Sequence, residues 1–317
     1  RGLGDVYKRQ SLNDPQWLMD IRTTAMDKVA TLDMPKADKT KLDKWNFFNI
    51  ESLNVDGESF DSLNDLPEDA KQLIDIESVK NIYVQHNNTK AYLQLDDELI
   101  NQGVILQDIK TAVTEHSELV QKYFMQDGVK VDENKLTALH AALMNGGLFL
   151  YVPKNVEVKE PIQMVTIHDD ENASLYNHVL IVAEESAQVT YVENYISTVD
   201  RSNGQLNVVS EVIAKDNAQV TYGAVDFLAE GFTGYVNRRG VAARDAVIDW
   251  ALGLMNDGDT INDNTTYLMG DNSSSDLKTV VVGRGEQKLN FTTQIIHYGK
   301  DSIGPVSYTH LRAHETD

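Results

Sequence analysis

Cysteine is absent from this 317-residue chain, which removes disulfides, thiolate nucleophiles and thiolate metal ligands together. Any metal bound by the chain alone would need His or carboxylate ligands. Positive charge is scarce as well: 28 Lys+Arg against 49 Asp+Glu give a formal net charge of -21. Such a balance opposes contact with phosphate backbones and anionic membrane surfaces, so no nucleic acid and no membrane is expected as partner. No apolar run approaches the roughly 18 to 20 residues that cross a bilayer, and the N-terminus lacks the basic, apolar, small-residue order of a secretory signal. The reading is cytoplasmic.

Catalytic motifs are equally sparse. There is no GxxxxGK[ST] phosphate loop, no G-x-S-x-G elbow and no HExxH zinc pair. Gly283-Arg284-Gly285 opens like a dinucleotide fingerprint, but Lys288 stands where the third glycine belongs and no helix follows, so it reads as a turn. Asn256 to Asn264 is rich in oxygen ligands yet breaks the calcium-loop pattern at Ile261, and reads as a solvated turn. Arg238 and Arg239 are expected in surface ion pairs across neighbouring strands. His140 and His178 read as core or boundary histidines, and Trp45, Phe47 and Phe48 as an aromatic packing cluster.

Two ends stand apart. Residues 1–10 bear no capping or periodic relation to the acidic helix after them, and residues 305–317, with His310 and His314, interrupt the pattern before them. Both read as foreign, adapter-like segments. Between them the chain divides in two. In residues 11–145, Asp14-Pro15 forms an N-cap and first-turn pair for a helix with Leu18, Ile21, Ala25, Val29 and Leu32 on one face. Two strands around Asn87-Asn88 predict a hairpin. A helix runs through Ile109, Val113, Leu119 and Tyr123, and another opens at Asp132 and closes at Gly146. This is a small, mostly helical α+β domain.

Residues 146–304 are different in texture: short β-rich runs separated by Asn, Asp, Gly and Ser. They repeat. Ala187-Gln-Val-Thr-Tyr191 recurs as Ala218-Gln-Val-Thr-Tyr222, an offset of 31; related runs begin at Val156 and Ala246. Each copy follows a small polar turn, at Lys154-Asn155, Glu185-Ser186, Asp216-Asn217 and Arg244-Asp245. A rung of that size cannot bury its inward face without a neighbour, so the repeat predicts a parallel β-helix. A propeller blade takes roughly 40 to 45 residues, more than this period supplies. The fold class is therefore mainly β, a β-helix preceded by the helical domain.

Three segments resemble the SufB/SufD family of the SUF iron-sulfur cluster assembly system: Asp14-Pro-Gln-Trp-Leu-Met-Asp-Ile-Arg22 with Leu32-Asp-Met-Pro35; Lys39-Thr-Lys-Leu-Asp-Lys-Trp-Asn-Phe47; and Asn134 through Lys154 with Glu160-Pro-Ile-Gln163. The resemblance spans about residues 11–304 and implies that the parallel β-helix is right-handed. It implies a non-enzymatic scaffold that pairs with a SufB-like subunit and works with a SufC-like ABC-type ATPase, whose docking helices fall beyond this chain. No cofactor is expected on this chain alone, the iron-sulfur cluster being handled transiently by the assembled complex. Lack of cysteine favours the SufD over the SufB side, because the scaffold role in SufB is tied to thiolate chemistry. A SufB-like scaffold is one alternative. A β-helix carbohydrate-active enzyme is another, with Asp245 and Asp249 as its nearest acid-base candidates; a solenoid without an iron-sulfur role is the third.

The last strands, at Thr279–Val282 and Leu289–Ile296, are apolar and β-branched and are expected to present an open edge. Val280, Val282, Leu289, Phe291, Ile295 and His297 are the candidate partner interface. This form of the chain is expected to fray or self-associate near residues 279–298 and not to recruit the ATPase.

Overall fold

The computed structural model describes residues 13–37 and 39–312. Its centre is a parallel β-solenoid in which the chain alternates between two sheets. One carries β4 (Gly146–Val152), β6 (Leu175–Ala183), β8 (Gln205–Ala214), β10 (Thr233–Ala242), β12 (Asp259–Leu268) and β14 (Leu289–His297). The other carries β5 (Ile162–His168), β7 (Gln188–Ser197), β9 (Gln219–Phe227), β11 (Val247–Leu254), β13 (Leu277–Gly283) and β15 (Val306–Arg312). Neighbouring rungs pair in parallel, with Tyr191 opposite Tyr222 and Tyr222 opposite Trp250.

The corner between the two sheets explains the polar turns of the repeat. Asn155, Ser186, Asn217, Asp245, Asn272 and Asp301 all adopt positive φ, between 55° and 63°. Asn and Asp tolerate this left-handed conformation better than other L residues, because their short polar groups bond locally. The corners also continue the ladder: Ser186 N donates to Asp216 O at 2.9 Å, Asn217 N to Arg244 O at 2.8 Å and Asp245 N to Asp271 O at 3.0 Å. One residue class at one position thus turns the chain and stacks each rung on the next.

Alternation along each strand then sorts side chains. In β7, Val189, Tyr191, Glu193 and Tyr195 point inward, and in β9 Val220, Tyr222, Ala224 and Asp226 do. Tyr191, Tyr222 and Trp250 stack as an aromatic column with ring centroids 4.9 Å apart at each step. Gly240 makes room for it, since a Cβ there would lie 3.1 Å from both Ile248 and Trp250. Such ring pairs add about 0.5–1.5 kcal/mol each beyond their buried area.

The outer face of the β4–β14 sheet is covered by α1 (Gln16–Val29), α4 (Ile109–Glu115), α5 (Ser117–Tyr123) and α6 (Lys135–Leu143). Between the first and last of these in sequence lie two short helices, α2 (Glu68–Lys71) and α3 (Asp97–Asn101). Phe149, Leu180, Val209 and Tyr235 of the sheet meet Leu18, Val113, Leu139 and Leu143 of the helices in one apolar cluster. The hairpin forms as expected, β1 (Asn81–His86) against β2 (Thr89–Gln94) with Asn87 at φ 49°. It also joins the solenoid, because β1 pairs in parallel with β5. A short β3 (Ile105–Asp108) runs antiparallel to β4.

Several local expectations change. Asp14 does not cap α1; its carboxylate holds Arg22 Nε at 2.7 Å, and Arg22 is buried on the helix face beside Leu18 and Ala25. Arg22 in turn donates to Ala142 O at 3.2 Å, neutralising free carbonyls at the C-terminal end of α6. The single helix expected through Ile109 and Tyr123 is broken at His116, whose ψ of 42° leaves the helical region. The next helix starts later than Asp132, after Asn134, which forms a capping box with Thr137; Gly146 opens β4 and does not cap. At the other end, residues 306–312 are a solenoid strand: β15 pairs with β13 from Leu277–Val306 to Gly283–Arg312. Residues 279–282 are therefore not an open edge, whereas β14 ends its sheet among the described residues. The foreign reading of residues 1–10 and 313–317 lies outside the described residues.

Candidate functional site

The six residues singled out near the end of the chain do not share one face. Val280 and Val282 point outward from β13, Val280 being exposed. Leu289, Phe291 and Ile295 are in register with Thr260, Asn262 and Thr266 and turn toward the solenoid interior. There Phe291 meets Tyr308 with ring centroids 5.5 Å apart, and Ile295 packs against the main core. His297 is exposed, with Nδ1 2.7 Å from Ser302 Oγ. Two parts of a candidate interface result: an outer strip on β13, and the partly buried rim of the last rung, where β14 ends its sheet among the described residues. Met269, Tyr298 and Ile303 add exposed apolar surface in the same region.

The carboxylates considered for glycoside cleavage, Asp245 and Asp249, each bond the neighbouring rung. Asp245 sits at a corner and accepts from Asn272 Nδ2 at 2.7 Å, while Asp249 accepts from Asp276 N at 2.9 Å. The oxygen-rich stretch after Asn256 is mostly strand: Asn256 is buried and accepts from Leu228 N at 2.9 Å, and β12 begins at Asp259. Among the described residues no three His, Asp or Glu side chains converge as a metal ligand set. Gly283-Arg284-Gly285 is a turn between rungs, with Gly285 at φ 54°. Trp45 and Phe47 stack in the core at 5.8 Å, and Phe48 is exposed.

The arginine pair is the clearest correction. Both Arg238 and Arg239 are buried, on opposite faces of β10. Arg238 points into the solenoid, its Nε 3.4 Å from Glu193 and its Nη2 3.6 Å from Asp226. Glu193 also accepts from Tyr191 at 3.0 Å and from Tyr222. Burial pushes both carboxyls above their ordinary range, against the pull of the guanidinium. Arg239 points outward under the helical layer, where Glu133 holds it at 2.8 and 3.1 Å and Tyr267 lies beneath the guanidinium at 5.2 Å. It borders a groove of about 620 Å³ between the 32–36 segment and the outer faces of β12 and β14, which also contains Asp263.

A second polar assembly lies between α6 and the sheet. His140 Nδ1 is 2.7 Å from Asn207 Oδ1, His140 Nε2 is 3.0 Å from His178 Nδ1, and His178 Nε2 is 2.8 Å from Glu211. Glu211 accepts from the backbone N–H groups of Met125 at 2.8 Å and Val129 at 3.1 Å. All four side chains are buried. Desolvation raises Glu211 to about 8 and lowers His178 to about 3. It also holds His140 well below its usual value, with His178 adding to the effect. The histidines were legible as core residues, but not as neighbours. The signal was the repeat, which puts His178 opposite Val209 and so brings Glu211, two residues on, to the same outer face.

With this geometry in view, the comparisons are informative. Residues 7–164 match the family model described as SufBD protein N-terminal region, and residues 165–313 that of the SUF system FeS cluster assembly SufBD core domain. A Bacillus subtilis protein named iron-sulfur cluster assembly protein SufD is 60% identical over 293 residues, covering 92% of this chain and 67% of its own length. Iron-sulfur cluster assembly SufBD family proteins of Staphylococcus saprophyticus and Staphylococcus aureus are each 28% identical over 301 residues, covering 90% of this chain and 64% of theirs. The chain thus spans about two thirds of the length of these relatives.

Proposed function

This chain belongs to the SufBD family, and on that premise we propose that it is the SufD-type scaffold subunit of an iron-sulfur cluster assembly complex, acting by association and not by catalysis. Its partner is a SufB-like subunit, and ATP hydrolysis comes from a SufC-like ABC-type ATPase. The carrying observation is the 60% identity to a protein named SufD over nearly the whole chain. The physical form supports it: a stack of rungs is rigid along its axis and presents a long, ordered surface to a partner. The cluster is cargo of the assembled complex. With no thiol to offer, this chain contributes at most oxygen or imidazole ligands to it.

The test is reconstitution. The chain extended to the length of its relatives, mixed with the SufB-like and SufC-like subunits of a Bacillus, is expected to co-elute with both on size exclusion. This chain alone is expected to retain no stoichiometric iron after anaerobic loading, while the complex does. Failure to co-elute would overturn the scaffold reading, and iron held by the chain alone would overturn the division of labour. Val280→Asp and Phe291→Asp separately probe the outer strip and the rim. A charge in a buried apolar contact lowers affinity by 10-fold or more on the scale of about 1–3 kcal/mol per lost anchor. Neither variant weakening the complex would move the interface elsewhere.

A further inference from the structure

The His140–His178–Glu211 assembly has a direction that can be worked out from its fixed end. Asn207 Nδ2 donates to Leu136 O at 3.2 Å, so its Oδ1 is the atom facing His140. A flipped amide would set two oxygens against each other. An amide oxygen only accepts, so His140 Nδ1 must carry a proton. Three states then satisfy every link. In one, Glu211 is a carboxylic acid donating to His178 Nε2, and His178 Nδ1–H donates to His140 Nε2. In the second, the Glu211 proton has passed to His178 Nε2, leaving a carboxylate beside a His178 imidazolium that donates from both ring nitrogens. In the third, the Nδ1 proton of His178 has passed on to His140 Nε2 as well, and the imidazolium is His140. Net charge is zero in all three. In each the assembly holds one proton more than a carboxylate with two neutral imidazoles.

Every link but the one between His178 and Glu211 crosses the same seam. Asn207, His178 and Glu211 stand on β8 and β6, whereas His140 and Leu136 belong to α6, and Met125 and Val129 to the segment joining α5 to α6. Met125 is held at φ 50°, with its N–H on Glu211. Gly128 passes so close that a Cβ would lie 2.6 Å from Glu211 Oε2. We propose that this chain of hydrogen bonds is a protonated latch that fastens the helical layer to the solenoid and opens as alkali removes its shared proton.

The surrounding charges are few. Arg22 of α1 faces His140 and is committed to Asp14; Arg239 of β10 approaches Glu211 and is committed to Glu133; Asp127 lies on the loop side of Glu211. Phe124 covers His178, ring centroids 4.4 Å apart. Once the proton leaves, an uncompensated anion remains in this closed site, while the opened state ionises freely in water.

Two measurements on the whole chain test the latch. Nitrogen-15 spectra of the histidine rings at pH 6.5 are expected to show a protonated Nδ1 on His140; a bare Nδ1 there would overturn the proposal. Hydrogen exchange, corrected for intrinsic rates, is expected to show residues 124–129 and 135–143 losing protection about tenfold per pH unit between about 6.5, the free imidazole value, and about 8, and levelling off above it. Glu211→Gln, a permanent donor that cannot ionise, is expected to abolish that slope. Asn207→Leu is expected to abolish it too, by freeing the His140 tautomer so that the extra proton is no longer demanded. A structural role through burial alone would leave the slope in Asn207→Leu. Persistence of the slope in that variant, or its absence from the native chain, overturns the proposal even if Glu211→Gln fails to fold.

Discussion

Replacing Arg238 by Met tests the charge cluster inside the solenoid most directly. The guanidinium is 2% exposed, and its partners Glu193 and Asp226 are 0% and 1% exposed. Met fills much of the same volume, so the change mainly removes charge. Taking one partner from a buried ion pair costs about 3–5 kcal/mol, since the remaining charge is left desolvated. Two carboxyls are left here, although Tyr191 and Tyr222 still bond Glu193, which argues for the lower half of that range. The cost must depend on pH. Burial already raises Glu193 and Asp226 above their unfolded values of about 4.3 and about 3.9. A raised carboxyl favours the fold while protonated, and that contribution is lost as pH climbs from the unfolded toward the folded pKa. Without Arg238 both rise further, so the variant should regain stability as pH falls from 8 toward 5. Urea unfolding of native and variant chains at pH 8 and pH 5.5 measures this. The triple variant Arg238→Met, Glu193→Gln, Asp226→Asn is expected to recover most of the loss at pH 8. A penalty below about 1 kcal/mol, or one equal at both pH values, would refute the reasoning.

Other parts of the fold yield simpler expectations. Trp250→Ala, in the aromatic column, should cost about 3–5 kcal/mol in urea unfolding. Asn217→Val places a β-branched residue at φ 58° and should lower stability by about 1–2 kcal/mol, while Asn217→Gly should be nearly neutral. Asn134→Ala removes the capping box of α6 and should cost about 1 kcal/mol, read by thermal unfolding. Amides of β14 that face away from β12 should exchange faster than those of β12, which has a neighbour on both sides.

What could be read from the sequence was whatever the rung repeats. The identical Ala-Gln-Val-Thr-Tyr runs align residue for residue in β7 and β9, and the polar turns before them became the positive-φ corners. Alternation also carried the inward Tyr191 and Tyr222. What could not be read depended on pairs that no local pattern links. Arg238 and Arg239 are adjacent in sequence but enter different interiors, and their partners Glu193 and Glu133 lie 45 and 106 residues away. The usual expectation that charge lies outside was the wrong guide there. Asp14 looked like a cap because Pro15 follows it; the buried Arg22 outbid the helix N-terminus for its carboxylate. Strand β15 was not legible because its histidines and the break in the preceding pattern set residues 305–317 apart, whereas backbone pairing requires only a strand-compatible segment of the right length beside β13.

The two buried assemblies share a strip of sheet. Arg238 is in register with Ser210 and Arg239 with Glu211, so the β8–β10 pair carries one polar set inward and the other outward. The similar rungs β7 and β9 create a particular hazard: either strand displaced by one rung still finds Val, Thr and Tyr in the expected places. Hydrophobic patterning cannot penalise that slip, but unique buried charges can. In β9 the position matching Glu193 is Ala224, and Tyr195 is matched by Asp226. A rung placed one step out of turn would bury Glu193 without Arg238, or Arg238 without either acid. A slip of one residue would be as costly, turning Arg238 toward the helices and Arg239 into the core. Pairing both arginines in the native stack contributes little net stability once desolvation is counted. Its effect is on the alternatives, each of which strands a charge, so Arg238→Met with Glu193→Gln and Asp226→Asn is expected to keep most of the stability while broadening the amide spectrum of β7 and β9 if the charges set the order of these two similar rungs.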